Sequence, residues 1–174
     1  MKYAVLLLLA EVTGDDSARK QIRDALLVPD PLPALQAEEH GTFEPEPGVV
    51  AERISYATAY GMRVPAIVCR PARPSGKAPA IIVVNGHGGD KYSWYAMYSG
   101  VLYARAGAFV LTYDPLGEGE RNGERKSGTR EHDQIQEPDE IALRLGGTMQ
   151  ADVMQAVSYL AQRPEVDVAR IAAV

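Results

Sequence analysis

Residues 80–89 read Ala-Ile-Ile-Val-Val-Asn-Gly-His-Gly-Gly, and this stretch decides the fold. An apolar run with four β-branched residues in a row has no polar face. It predicts a strand buried on both sides, as in a parallel sheet. The run breaks on Asn85 into a glycine-rich loop, and a helix is predicted over about 92–106. Its apolar positions Trp94, Met97, Tyr98 and Val101 fall at i, i+3, i+4 and i+7, and Gly107 suits its C-terminal stop.

Towards the C-terminus the alternation repeats. Residues 108–113 (AFVLTY) predict a second buried strand. The polar segment 117–147 is longer than an ordinary connector and suggests a lid or cleft wall. A helix is predicted over about 149–162, with Met149, Val153, Val157 and Leu160 on one face. Asp152 stands in its expected first turn and Pro164 ends it. Arg170–Val174 begins a third buried strand. Strand, helix, strand, helix, strand is the pattern of a doubly wound α/β sheet. The right-handed crossover rule puts the helices on opposite faces only if the strand order reverses between them.

Towards the N-terminus, residues 50–58 and 62–70 alternate as strands around Gly61 and predict an antiparallel hairpin. Pro65 predicts that one of them is near an edge or bulged. Residues 17–27 read as a short helix capped by Ser17 and stopped by Pro29. Five prolines between 28 and 48 predict an extended arm without regular structure, lying on a surface. Residues 1–48 thus form a leader, helix and arm, and residues 49–174 the α/β domain. Lys2 and the apolar run Tyr3–Ala10 fit either a minimal export signal or a segment packed on the domain, so the compartment stays open between exported and cytoplasmic. The run is far too short to span a membrane.

The 174 residues suffice for one domain with a core, and the net charge of −5, without a basic stripe, argues against a nucleic-acid partner. The single cysteine, Cys69, excludes an internal disulfide and lies in an apolar run that predicts burial. No pair among His40, His87 and His132 has helical zinc spacing, and no metal or cofactor is expected. His40 and His132 read as surface residues, with a cleft-lining role for His132 as the alternative.

The glycine cluster invites three uses. A dinucleotide fingerprint needs a third glycine where Lys91 stands, and a phosphate loop needs Gly-Lys-Ser/Thr where the chain has Gly89-Asp90-Lys91-Tyr92. A backbone turn that aims N–H groups at a developing alkoxide needs only small residues between a buried strand and a helix, and His87-Gly88-Gly89 fits. Seven serines are present, none in a G-x-S-x-G frame. Residues 113–121 (YDPLGEGER) form a tight loop at the carboxyl end of the second strand, the edge at which open α/β sheets bind ligands. There Asp114 is expected to shape the turn and Arg121 to anchor it by a salt bridge.

With VVNGHGGDK (83–91), YARAGAFVLTYDPLGEGER (103–121) and DVMQAVSYLAQRPEVDVARIAAV (152–174) in order, the chain resembles the α/β-hydrolase superfamily. More narrowly it is similar to the dienelactone-hydrolase and acetyl-xylan-esterase-like bacterial esterases, over residues 49–174. The resemblance implies an incomplete α/β-hydrolase sheet, an antiparallel hairpin followed by parallel strands with helices on both faces. In such proteins the strand after R-P-E-V-D-x-x-R-I runs into the G-x-S-x-G elbow, and the acid and histidine follow later. The chain is therefore expected to be an N-terminal portion cut within the nucleophile strand, inactive alone, of a serine ester hydrolase acting on a small-molecule ester. By carry-over Gly89 donates its backbone N–H to the oxyanion, and His87 and Gly88 shape that loop. Trp94, Tyr95, Gly117, Glu118 and Arg121 are candidates for lining the cleft. The alternatives are a serine peptidase of the same fold and a non-catalytic α/β binding module, with a nucleotide-binding domain last.

Overall fold

The computed structural model describes residues 16–126, 128 and 139–174. The leader residues 1–10, His132 and part of the expected lid segment lie outside the described residues.

Six strands form one mixed sheet in the order β1-β2-β3-β5-β4-β6. They are β1 (Glu38–Glu46), β2 (Val49–Ala57), β3 (Arg63–Pro71), β4 (Ala78–Val83), β5 (Phe109–Tyr113) and β6 (Val166–Ala173). The first four in that order pair antiparallel, and β5, β4 and β6 run parallel. Helix α2 (Trp94–Arg105) links β4 to β5, and α3 (Asp139–Ala161) carries the chain back past β4 to β6. The strand order therefore reverses at β4, and the two helices cover opposite faces. Ala156 and Leu160 of α3 pack with Val64, Ala66 and Val68, whereas Ala96 and Ala104 of α2 pack with Ile67 and Cys69 of the same strand. Period-two alternation along β3 thus feeds both cores.

Several expectations are corrected. The arm 28–48 is not all irregular: residues 38–46 form edge strand β1, so the hairpin of β2 and β3 gains a third strand. Pro45 is tolerated because the β1–β2 register shifts between Phe43 and Glu46, at the sheet edge. Neither β2 nor β3 is then an edge. Pro65 sits just beyond the last β3–β5 pair, Ala66 with Tyr113, and its carbonyl accepts from Asp114 N–H at 3.0 Å. The arm itself lies on the domain as expected: Leu35 joins the core, and the buried Gln155 amide donates to Pro33 O and Ala57 O, both at 2.9 Å. Helix α1 (Asp16–Ala25) contains Ser17 rather than starting after it.

Helix α2 buries a stripe of small residues, Ala96, Gly100 and Ala104, and leaves Trp94 80% exposed. Trp94 and Tyr98 are not on its core face, because the helix meets β3 through its small residues, while Met97 and Val101 pack at the flanks. A Cβ at Gly100 would stand 3.0 Å from Cys69 Sγ. Cys69 is buried as expected, and burial pushes its thiol up to about 11. Helix α3 starts ten residues before the expected 149, so Asp152 is not a first-turn residue: it is mid-helix and fully buried, while Val157 is half-exposed. Strand β6 is not buried on both faces. Only Val166 is buried, because β4 is its one neighbour in the described sheet. No helix among the described residues is long and apolar enough to cross a membrane.

Candidate active site at the carboxyl edge of the sheet

A reversal of strand order opens a crevice at the carboxyl ends of the strands involved. Here a cavity of about 330 Å³ occupies that place. Val84 to Gly88 line one side, Tyr113 and Pro115 the floor, and Met149, Asp152 and Val153 of α3 the other side. Three larger cavities lie elsewhere: one of about 370 Å³ over the face of β2 and β3 at Arg53, Arg63 and Lys91, and two, of about 560 and 470 Å³, at the opposite end of the strands and under the proline arm. The last two are remote from the strand-end loops, and only the 330 Å³ cavity is lined by the glycine loop, so location selects it.

The glycine loop is held from both sides. Asn85 Nδ2 donates to Tyr113 O at 2.5 Å and to Thr112 Oγ1 at 3.2 Å, which fastens the end of β4 to β5. The Tyr95 hydroxyl accepts from Gly86 N–H at 3.1 Å, and Gly89 fits beneath it. A Cβ at Gly89 would stand 1.9 Å from that hydroxyl, so the loop needs glycine for closeness. Gly89 N–H donates to Gly86 O at 2.9 Å, closing a tight turn. The predicted loop thus reaches the cavity through Gly86, His87 and Gly88, while the Gly89 donor is satisfied within the turn.

Two buried ion pairs flank the cavity. Lys91 Nζ meets Asp114 Oδ2 at 2.5 Å, with the side chains 4% and 0% exposed. Lys91 N–H reaches Asp114 Oδ1 at 3.0 Å, Glu120 N–H reaches Oδ2 at 2.9 Å, and Glu120 Oε1 is 2.7 Å from Lys91 Nζ. Gly119 has φ +55°, and a Cβ there would fall 2.5 Å from Asp114 Cγ, so the loop wraps the carboxylate. Burial opposes the lysine charge, but the bonds and charges of Asp114 and Glu120 outweigh it and hold the ammonium pKa above the ordinary lysine value. The pair joins the loop after β4 to the loop after β5.

The second pair is Arg121 with Asp152. Arg121 Nη1 contacts Asp152 Oδ2 and donates to Asp114 O at 3.2 Å. Arg121 therefore anchors its loop through Asp152 of α3, and touches Asp114 only at the backbone. Asp152 Oδ1 and Arg121 Nη2 are buried, and among the described residues neither meets a partner at full hydrogen-bond geometry. Burial raises the Asp152 pKa, with Arg121 and Thr58 opposing, and it pushes the neighbouring Tyr113 phenol up to about 12.

Of the remaining candidates, Trp94 points to solvent and does not line the cavity, and Tyr95 supports the loop from the α2 side. Gly117 lies in the turn closed by Glu118 N–H on Pro115 O at 3.1 Å. Glu118 is fully buried and holds Gly128 N–H at 2.7 Å, which makes it a loop anchor. The residues missed in the sequence are Asn85, Lys91 and the cavity role of Asp152. The charged ends of GGDK and YDPLGEGER carried the signal for Lys91 and Asp114; nothing in spacing linked Asp152 to Arg121. Among the described residues no group of three or more His, Cys, Asp or Glu side chains could hold a metal.

No family model and no curated protein sequence matches the chain. Solved structures do. An acetyl xylan esterase from Paenibacillus sp. R4 superposes with TM-score 0.62 at 18% identity, over 91% of this chain and 49% of the other. Acetyl xylan esterase 1 from Thermoanaerobacterium sp. JW/SL YS485 gives 0.66 at 19%, over 91% and 49%. A methylesterase gives 0.63 at 22%, over 91% and 34%. The chain spans at most about half the length of these structures.

Proposed function

From an α/β-hydrolase fold of the esterase type as premise, we propose that the chain supplies the oxyanion loop and one cleft wall of a serine carboxylic-ester hydrolase. One observation carries this: the strand order reverses at β4, and the glycine loop that follows it opens on the 330 Å³ cavity. An ester carbonyl seated there would face the backbone of His87-Gly88-Gly89. As the carbonyl turns into an alkoxide, the Gly88 and Gly89 N–H groups stabilise it. A charged acceptor binds an N–H roughly twice as strongly as a neutral carbonyl. The alkoxide therefore takes the Gly89 donor from Gly86 O.

The nucleophile would be a serine that follows Val174 in a longer in-frame product. Val174 N–H donates to Ile82 O at 2.9 Å, and Val84 N–H donates to Val174 O at 2.8 Å. A residue a few positions on would thus emerge beside the glycine loop. The serine attacks the carbonyl, the alcohol leaves, and water releases the acid from the acyl-enzyme. The test is hydrolysis of 4-nitrophenyl acetate by the longer in-frame product and by the 174-residue chain. Turnover by the longer product alone is expected; enzyme-like turnover by the 174 residues alone would contradict the proposal.

A further inference from the structure

Helix α2 is apolar on its outer side as well as its inner one. Its sequence, WYAMYSGVLYAR, carries a single charge, Arg105, in the last turn. Ala96, Gly100 and Ala104 are buried on the sheet. Two residues turn a helix by about 200°, so Trp94, Tyr98 and Leu102 point almost directly away from the sheet. They are 80%, 65% and 47% exposed. A helix at a protein surface normally turns a polar face outwards, and one that is apolar all round is covered all round. A further strand or helix laid on the same side of the sheet would meet a flank of α2, such as that of Met97 and Val101, and leave this stripe open. The cover therefore comes from outside the layer.

The stripe fits a second copy of itself. Its members stand at i, i+4 and i+8, one ridge of the kind that packs into the matching groove of another helix at about 50°. A twofold axis at Tyr98 sets two such helices antiparallel. It lays Trp94 of each chain on Leu102 of the other, large against small, with the two Tyr98 rings at the centre. Interface centres are rich in Trp and Tyr and poor in charge, and this stripe has that composition. Arg105 lies about 10 Å along the helix from Tyr98, so the two copies of the charge stand at opposite ends of the contact. Size sets the strength. A buried aromatic side chain covers roughly 150–250 Å², so the stripe offers about 400 Å² per chain. The pair would bury about 800 Å², less than the ~1,200 Å² at which stable complexes begin and in the range of transient ones.

We propose that the outer face of α2 is a homodimerisation surface, on which two copies of the chain pair antiparallel through Trp94, Tyr98 and Leu102. The dissociation constant is on the order of 100 μM, as the small area requires. At low micromolar concentration the chain is a monomer with Trp94 in water. The surface is independent of the hydrolase reading.

Trp94 is the single tryptophan of the chain and reports on the contact directly. Sedimentation equilibrium of the 174-residue chain through that concentration range is expected to show a monomer–dimer equilibrium, and Trp94 emission should shift to the blue along the same isotherm. Tyr98→Lys sets two ammonium groups on the axis and should weaken association at least tenfold, whereas Tyr98→Phe should leave it within twofold. The side chain faces solvent, and circular dichroism checks that both variants fold. Cys69 is buried, so an introduced thiol reads the register. Tyr98→Cys should cross-link to its own copy on oxidation, and Trp94→Cys should cross-link to Leu102→Cys in preference to itself. A monomer at every concentration, association that survives Tyr98→Lys, or association with no change in Trp94 emission, as through the open edge of β6, would overturn the proposal.

Discussion

The two buried ion pairs that border the cavity differ in how completely they are satisfied. Asp114 has both oxygens occupied, by Lys91 Nζ, Lys91 N–H and Glu120 N–H. Among the described residues, Asp152 Oδ1 and Arg121 Nη2 meet no partner at full hydrogen-bond geometry. A buried charge is stable only when its bonds are complete. The first pair is therefore a rigid clamp between the strand-end loops. The second, on the wall of the cavity, holds polar capacity in reserve, and its acid has a pKa raised by burial.

Removing Asp114 should do the most harm. Asp114→Ala leaves the buried Lys91 ammonium with the rim carboxylate of Glu120 alone and frees the N–H groups of Lys91 and Glu120, and is expected to cost about 3–5 kcal/mol in urea unfolding. A loss below about 1 kcal/mol would mean that the clamp does not carry the loops. Arg121→Met should cost about 3 kcal/mol at pH 7 by leaving the Asp152 carboxylate buried alone, whereas Arg121→Met with Asp152→Met should recover most of that loss. Titration separates the pairs further. A carboxyl whose folded pKa is raised contributes stability below its ordinary value, and loses it as pH rises through the folded value. Asp152 has that sign, and loss of Arg121 removes a cause that opposes the rise. The deficit of Arg121→Met relative to the parent should therefore shrink from pH 7 to pH 4, read by urea midpoints.

Glu52 has the opposite sign. Burial would raise its pKa, but Arg163 and Arg70 outweigh burial and hold it below the ordinary glutamate value. Its stability contribution is present above that ordinary value and is lost as pH falls through the lowered one. Glu52→Gln should cost about 1–2 kcal/mol at neutral pH, with the difference vanishing in acid. The smallest effect belongs to Trp94→Ala. With the indole 80% exposed, thermal unfolding should move by less than about 0.5 kcal/mol equivalent; a core-sized loss would return the aromatic face of α2 to the interior.

What could be read in the sequence followed local chemistry. The run 80–84 announced β4, and small residues announced the loop after it, because a two-face-buried strand and a sharp turn each have a local signature. The faces of α2 and α3 followed hydropathy only in part: Met97, Val101, Val153 and Leu160 pack on the core, while Trp94, Tyr98 and Val157 do not. Helix α2 approaches the sheet closely and fully buries only Ala96, Gly100 and Ala104, so Met97 and Val101 pack at the flanks and Trp94, Tyr98 and Leu102 face out. The wall of α3 is polar where Asp152 and Gln155 meet partners thirty to a hundred residues away, and no window of sequence contains such a pair. Strand β1 was hidden by Pro45 and the prolines on either side of it, since only an edge strand tolerates Pro45. His87, Gly88 and Gly89 were found from spacing; the hydrogen bond that occupies the Gly89 donor needed the folded turn.

The central claim, that the glycine loop after β4 serves a serine nucleophile, is tested most directly by labelling the longer in-frame product with a fluorophosphonate and mapping the modified peptide by mass spectrometry. One labelled serine within a few residues after Val174 is predicted, with labelling slowed by a bulky residue at Gly89. No label on any serine, or a label on one of the serines within the 174 residues, would contradict it.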